Sequence, residues 1–143
     1  MRALLDVNVL IALFDAAHVH HETTRAWLTV HQKLGWASCP LTQNGAVRIL
    51  STPSYPNAVS TSEATRMMAG ACATGQHEFW SDNVSILDEA RIRRDRVHGP
   101  RQITDVYLLA LAVANGGRLV TLDAAVPISP VVGASKRHLA VIH

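Results

Sequence analysis

The stretch ITDVYLLALAVANGGRLVTLD, from Ile103 to Asp123, decides the fold. Its first part predicts a helix over Thr104 to Asn115. Val106, Leu108, Leu109, Leu111 and Val113 cover most of that helix's circumference, so it belongs inside the protein. Gly116-Gly117 ends it, and Leu119 to Leu122 reads as a short buried strand that delivers Asp123 at its carboxyl end.

The same alternation appears on both sides of this stretch. Ala3 to Leu5 is an apolar strand ending at Asp6; Asn8 offers an N-cap for a short helix over Val9 to Phe14. A second helix is expected over Glu22 to His31, a strand over Trp36 to Ser38, and a third helix capped by Thr42 and carrying Val47, Ile49 and Leu50. Ser51 to Asn57 (STPSYPN) is the clearest loop, and a fourth helix opens at Thr61 and ends near Gly75. Val84 to Leu87 is expected as a strand and Asp88 to Arg96 as a charged helix, before His98-Gly99-Pro100 breaks the chain. A last strand falls within Leu139 to Ile142. Strands alternating with helices imply an α/β fold, a parallel sheet covered by helices on both faces. No repeat or linker divides the chain, so residues 1–143 are expected to form a single domain.

Composition sets outer limits. A hydrophobic share of 48% over 143 residues suits a globular chain with its own core. The formal charge of +2 permits a polyanionic partner without announcing one. Cys39 and Cys72 form neither a CxxC pair nor a metal-ligand spacing, which favours a reducing compartment. Asp6 and Asn8 interrupt the apolar N-terminus, and no run approaches the ~20 apolar residues of a membrane span. The expectation is a soluble, cytoplasmic protein.

Three carboxylates carry the chemistry. Asp6 and Asp123 stand at the carboxyl ends of predicted strands, where ligands bind on parallel sheets. Asp105 stands at a helix start, where free backbone amides favour an anion. Taken singly, each has an ordinary role as a cap or a turn residue. Taken together they would repel one another at one rim, and a hard cation would relieve that repulsion. Oxygen ligands alone point to Mg²⁺ or Mn²⁺ rather than zinc.

In order along the chain, LLDVNVLIAL, TQNGAVRIL and ITDVYLLALAVANGGRLVTLD resemble the motifs of the PIN domain, most closely the VapC-type toxins of bacterial toxin–antitoxin pairs. The resemblance runs from Leu4 to Asp123 and includes HHETTRAWL at His20 to Leu28. It implies a three-layer α/β/α fold with a mainly parallel sheet of four to five strands. It also implies a ribonuclease in which a cation activates a water for attack on a phosphodiester. Carried over by motif, Asp6 and Asp105 would be the principal metal ligands, with Asp123 acting directly or through water. Asn8, Thr42, Thr104 and Thr121 would orient ligands, waters or phosphate. A homodimer and a VapB-like antitoxin that covers the active site are further implications.

One position departs from that pattern. The family usually has a glutamate after the threonine of the second motif, whereas Thr42 is followed here by Gln43. A glutamine can still engage a metal or a bound water through its carbonyl, so Gln43 stays among the catalytic residues; it brings no charge and cannot serve as a base, so one cation is expected rather than two. It also opens a second reading, a catalytically weak PIN domain that mainly binds RNA or its antitoxin. Structure-selective DNA cleavage is a third reading, disfavoured by the short chain.

Two clusters compete for other roles. His18, His20 and His21 invite zinc, but adjacent residues on a helix diverge by about 100°. Arg91, Arg93, Arg94, Arg96 and Arg101 form a basic stretch; Arg101 lies nearest Asp105 in the chain and is the preferred RNA contact. Arg48 is expected to support the helix that carries Gln43. No phosphate loop, nucleophile elbow or dinucleotide fingerprint is present.

Overall fold

The computed structural model describes Met1 to His143. Five strands, β1 (Ala3–Leu5), β2 (Trp36–Ser38), β3 (His77–Phe79), β4 (Arg118–Thr121) and β5 (Leu139–Val141), form one sheet in the order β3-β2-β1-β4-β5. Every neighbouring pair is parallel. The helices are α1 (Val7–Phe14), α2 (His21–His31), α3 (Pro40–Leu50), α4 (Thr61–Cys72) and α5 (Ile103–Ala114).

The alternation of side chains along a strand divides the core in two. Leu4, Ala37 and Leu119 face α5, whose Val106, Leu108, Leu109 and Leu111 are fully buried. Ala3, Leu5 and Val120 point the other way, onto Val9 and Leu10 of α1, Ala46 of α3 and Met68 of α4. Each fully buried leucine contributes about 2 kcal/mol of transfer free energy, so α5 and the central strands anchor everything around them. All carboxyl ends of the strands meet at one edge, where α1, α3 and α5 also begin.

The structure corrects several local expectations. The cap of α1 is Asp6, not Asn8: the Asp6 carboxylate accepts from the Val7 N–H at 2.7 Å, so the helix starts directly behind the strand. Thr42 is likewise not the cap of α3. Pro40 occupies the first turn, where its missing N–H costs nothing, and Cys39 precedes it. Thr42 sits buried in that turn and binds back to the Cys39 N–H through Oγ1 at 3.0 Å.

Val84 to Leu87 forms no strand. Val84 and Ile86 pack onto the α5-side core from a loop, and the sheet position goes to His77–Phe79. That edge strand carries no apolar run because it has a neighbour on one side only. Asp88 to Arg96 is not a helix but a series of turns, with one antiparallel bridge from Ile92 to Val131 and a short 3-10 turn at Arg94–Arg96. Burying Ile92 in the core outweighed the weak helical pattern of the surrounding charges.

Candidate active site

The end of β1 and the end of β4 are joined by a single hydroxyl. Thr121 is fully buried, and its Oγ1 donates to Asp6 Oδ2 at 2.7 Å. The same oxygen accepts from Asn8 Nδ2 at 3.1 Å and from the Asp123 N–H at 3.1 Å. One donor and two acceptor sites are all a hydroxyl has, so this group is saturated and cannot swing away. Asn8 completes the junction by accepting the Leu122 N–H at 3.1 Å. Asp6 is therefore held on both oxygens, by Val7 and by Thr121, in a nearly closed environment.

Asp105 lies in the first turn of α5, half-buried at the same edge. Burial first, then the charges of Asp6 and Asp123, push its carboxyl up to about 6. Asp6 is raised as well, chiefly by burial, against the pull of its bonds from Thr121 and Val7. Asp123 is exposed and accepts the Ala125 N–H at 2.8 Å. No arginine, lysine or histidine pairs with any of the three. Three carboxylates thus share one field with no protein cation to offset it.

That donor set fits a hard cation by its chemistry. It does not form a closed cage, since no three acidic, histidine or cysteine side chains stand close enough together to hold an ion by themselves. Two carboxylates with the remaining positions left to water match the habit of Mg²⁺, which dehydrates reluctantly.

Gln43 is placed differently. Its Nε2 donates to Ser38 Oγ at 2.9 Å and approaches Cys72 Sγ at 3.9 Å. Ser38 is buried at the end of β2 and bonds His77 Nε2 at 2.7 Å. The amide is thus committed to a neutral network on the α4 side of the sheet. Ser38 and His77 were not expected from the sequence: Ser38 ends a strand just before α3, a usable signal, but His77 lies in a strand that has no apolar pattern.

Among the remaining candidates, Thr104 is exposed in the first turn of α5, and Arg101 is exposed in the turn just before it, free of any ion pair. Of the other arginines in the basic stretch, Arg91 is likewise exposed and unpaired, while Arg93 binds the Ser129 carbonyl, Arg96 the Ser129 hydroxyl, and Arg94 pairs with Glu89. Arg48 is exposed along a cleft of about 690 Å³ between α3 and α4, which Gln43 and Cys72 also line. The histidines serve local geometry. His18 Nδ1 accepts the His20 N–H, and His21 Nδ1 donates to the Ala12 carbonyl at 2.7 Å.

The comparisons with known proteins agree with this fold. The PIN domain model matches residues 3–127. Ribonuclease VapC44 of Mycobacterium tuberculosis is 56% identical over 142 residues, spanning 99% of this chain and 100% of the relative. Ribonuclease VapC38 of the same organism is 45% identical over 125 residues, 87% of this chain and 86% of the relative. Two solved structures share the fold at 12% identity and a TM-score of 0.57. One is M. tuberculosis VapC20, described as a sarcin–ricin loop cleaving toxin, covering 81% of this chain and 85% of that one. The other is VapBC2 from Rickettsia felis bound to a promoter DNA fragment, covering 86% and 89%. The chain belongs to the PIN-domain family, within its VapC group.

Proposed function

We propose that this protein is a metal-dependent endoribonuclease and the toxin of a toxin–antitoxin pair, with Asp6 and Asp105 holding Mg²⁺ or Mn²⁺ and Asp123 assisting directly or through water. The observation that carries the reading is the unpaired field of three carboxylates at the carboxyl edge, with Asp6 locked by Thr121. The names of the most similar relatives support the ribonuclease activity.

A bound divalent cation would offset charge on the phosphate and lower the pKa of an attacking water. The chain's own groups do the rest. Thr121 and the Val7 N–H keep Asp6 from turning away when the cation is lost. Arg101, without a carboxylate of its own, is free to meet a phosphate oxygen just ahead of Asp105. Thr104, exposed beside Asp105, offers a hydroxyl to substrate or water. In-line attack by water breaks the P–O3′ bond, leaving a 5′-phosphate and a 3′-hydroxyl that takes up the proton.

The reading includes a VapB-like antitoxin that covers this edge, a homodimer and a cytoplasmic location. The VapBC2 likeness supports the antitoxin. No helix is long and apolar enough to cross a membrane.

Purified protein should cut RNA only with Mg²⁺ or Mn²⁺ present. Asp6→Asn and Asp105→Asn should each lower the rate by at least ~100-fold while the fold is kept, a larger loss than residues outside the coordination shell produce. Full cleavage by either variant would remove the proposed site. RNA binding without new ends, at any metal concentration, would favour the second reading of a weak PIN domain, for which the commitment of Gln43 to Ser38 speaks.

A further inference from the structure

Next to the carboxylates, on the same edge, lies a pocket of about 320 Å³ of which the proposed chemistry uses only Thr104. Leu41, from the first turn of α3, and Ile86, Ile103 and Tyr107 form its apolar and aromatic wall; Thr104 and Asp82 supply its polar atoms. Ile103 is 43% exposed, unusual for an isoleucine on a helix whose other face is core. Thr104 and Asp105 are consecutive, so the pocket and the candidate metal site share the first turn of α5.

Asp82 is exposed, and no cation pairs with it. Its Oδ2 accepts the Leu41 N–H at 3.0 Å. An ionised carboxylate has about four lone-pair sites; the Leu41 N–H takes one, and the Tyr107 hydroxyl and Cys39 thiol also stand within reach of it, which leaves room for a ligand's donors. The ring of Tyr107 lines the pocket beside this carboxylate as its aromatic wall. The volume lies at the low end of small-ligand pockets, roughly 300–1,000 Å³, which suits one nucleoside and not two.

We propose that this pocket receives the guanine base of the nucleotide flanking the scissile phosphate, with Asp82 accepting from its Watson–Crick edge. The proposal rests on the ribonuclease reading for the identity of the substrate. Single-stranded bases are recognised by stacking on apolar and aromatic side chains and by hydrogen bonds to their edges. A carboxylate only accepts, so it selects the base with two adjacent donors. Guanine presents N1–H and the N2 amino group side by side. Adenine, cytosine and uracil each set an acceptor beside their donor, and that acceptor would face a carboxylate oxygen. A role for Asp82 as a cap of α3 accounts for the bond to Leu41 but not for the open apolar wall beside it.

The test separates these roles, because asparagine also caps a helix, but its amide offers one donor and one acceptor and so matches a donor–acceptor pair on the Watson–Crick edge of any base. Metal-free protein is titrated with GMP, AMP, CMP and UMP and followed by amide NMR. GMP should shift Ile103, Thr104 and Tyr107 and bind about tenfold or more tightly than the others, the discrimination of one good bidentate pair. Asp82→Asn should keep its melting temperature and lose the preference for GMP, binding the four nucleotides within about threefold of one another. In a parallel arm, Mg²⁺-loaded protein is given RNAs that differ only in the bases flanking the cut, and a flanking guanosine should be required. Equal binding of the four nucleotides by the unsubstituted protein, or an unchanged guanine preference in Asp82→Asn, overturns the pocket. GMP binding there with no RNA cut under any condition overturns the ribonuclease reading and leaves the pocket standing.

Discussion

Two corners at the carboxyl edge of this sheet are built alike and behave differently. At the end of β1, Asp6 leads into α1; at the end of β2, Ser38 and Cys39 lead into α3. The first corner places a carboxylate under a saturated hydroxyl, Thr121, in the field of Asp105 and Asp123. The second holds a neutral network in which the Gln43 amide donates to Ser38 and Ser38 bonds His77. Adjacent parallel strands thus supply equivalent positions, and the identity of one side chain decides whether a position carries charge. The unrelieved charge of the first corner is what makes it the proposed cation site; the second corner brings no charge of its own.

The largest expected effect breaks that comparison directly. If the corners differ as described, Asp6→Asn lowers RNA cleavage by at least ~100-fold, whereas Gln43→Ala costs less than about tenfold, the worth of one neutral hydrogen bond. Steady-state cleavage of one labelled RNA by both variants decides it, and equal losses would make the corners equivalent after all.

A smaller effect concerns the contact that ties the corners together. A Cβ on Gly45 of α3 would stand 2.7 Å from Val7 Cγ2, directly behind Asp6. The atom it meets is a methyl of a β-branched side chain, stiff at χ1, so Gly45→Ala should cost about 1–3 kcal/mol of overpacking. Urea unfolding would read this as a lower midpoint at unchanged slope.

The smallest effect sharpens the electrostatic half of the comparison. Asp105 titrates near 3.8 when unfolded and at about 6 in the fold. Between those values the fold binds more protons than the unfolded chain, so metal-free stability falls as pH rises through the window and stays lower above it. Asp105→Asn removes that penalty. Allowing for solvent screening of a half-exposed group, its Tm without metal should rise by about 3 °C near neutral pH. The gain should vanish below the unfolded value, and a lower Tm near neutrality would contradict the shared field.

Much of this was legible in the chain itself. Apolar runs with polar ends marked β1, β2 and β4, because strands buried on both faces are mostly apolar along their length. The same ends marked Asp6 and Asp123. The heavy burial of α5 was legible for the same reason, as its apolar residues leave little polar face. β3 was not legible: an edge strand with exposed side chains is defined by its pairing to β2, not by its composition. The segment from Asp88 to Arg96 misled in the opposite sense, since its charges fit a helix while Ile92 was needed in the core.

What the sequence determined alone is the order of the elements, the buried character of the central strands and α5, and the identity of the charged groups at strand ends and helix starts. These follow from local periodicity, which every short window of chain carries. What only the tertiary structure decided is which of those groups share an environment. Thr121 reaches Asp6 across 115 residues, Gln43 turns to Ser38 instead of the carboxylates, and Asp82 meets Tyr107 beside the site. Such meetings depend on strand order and on which face of the sheet each side chain takes, and neither is written in any local stretch.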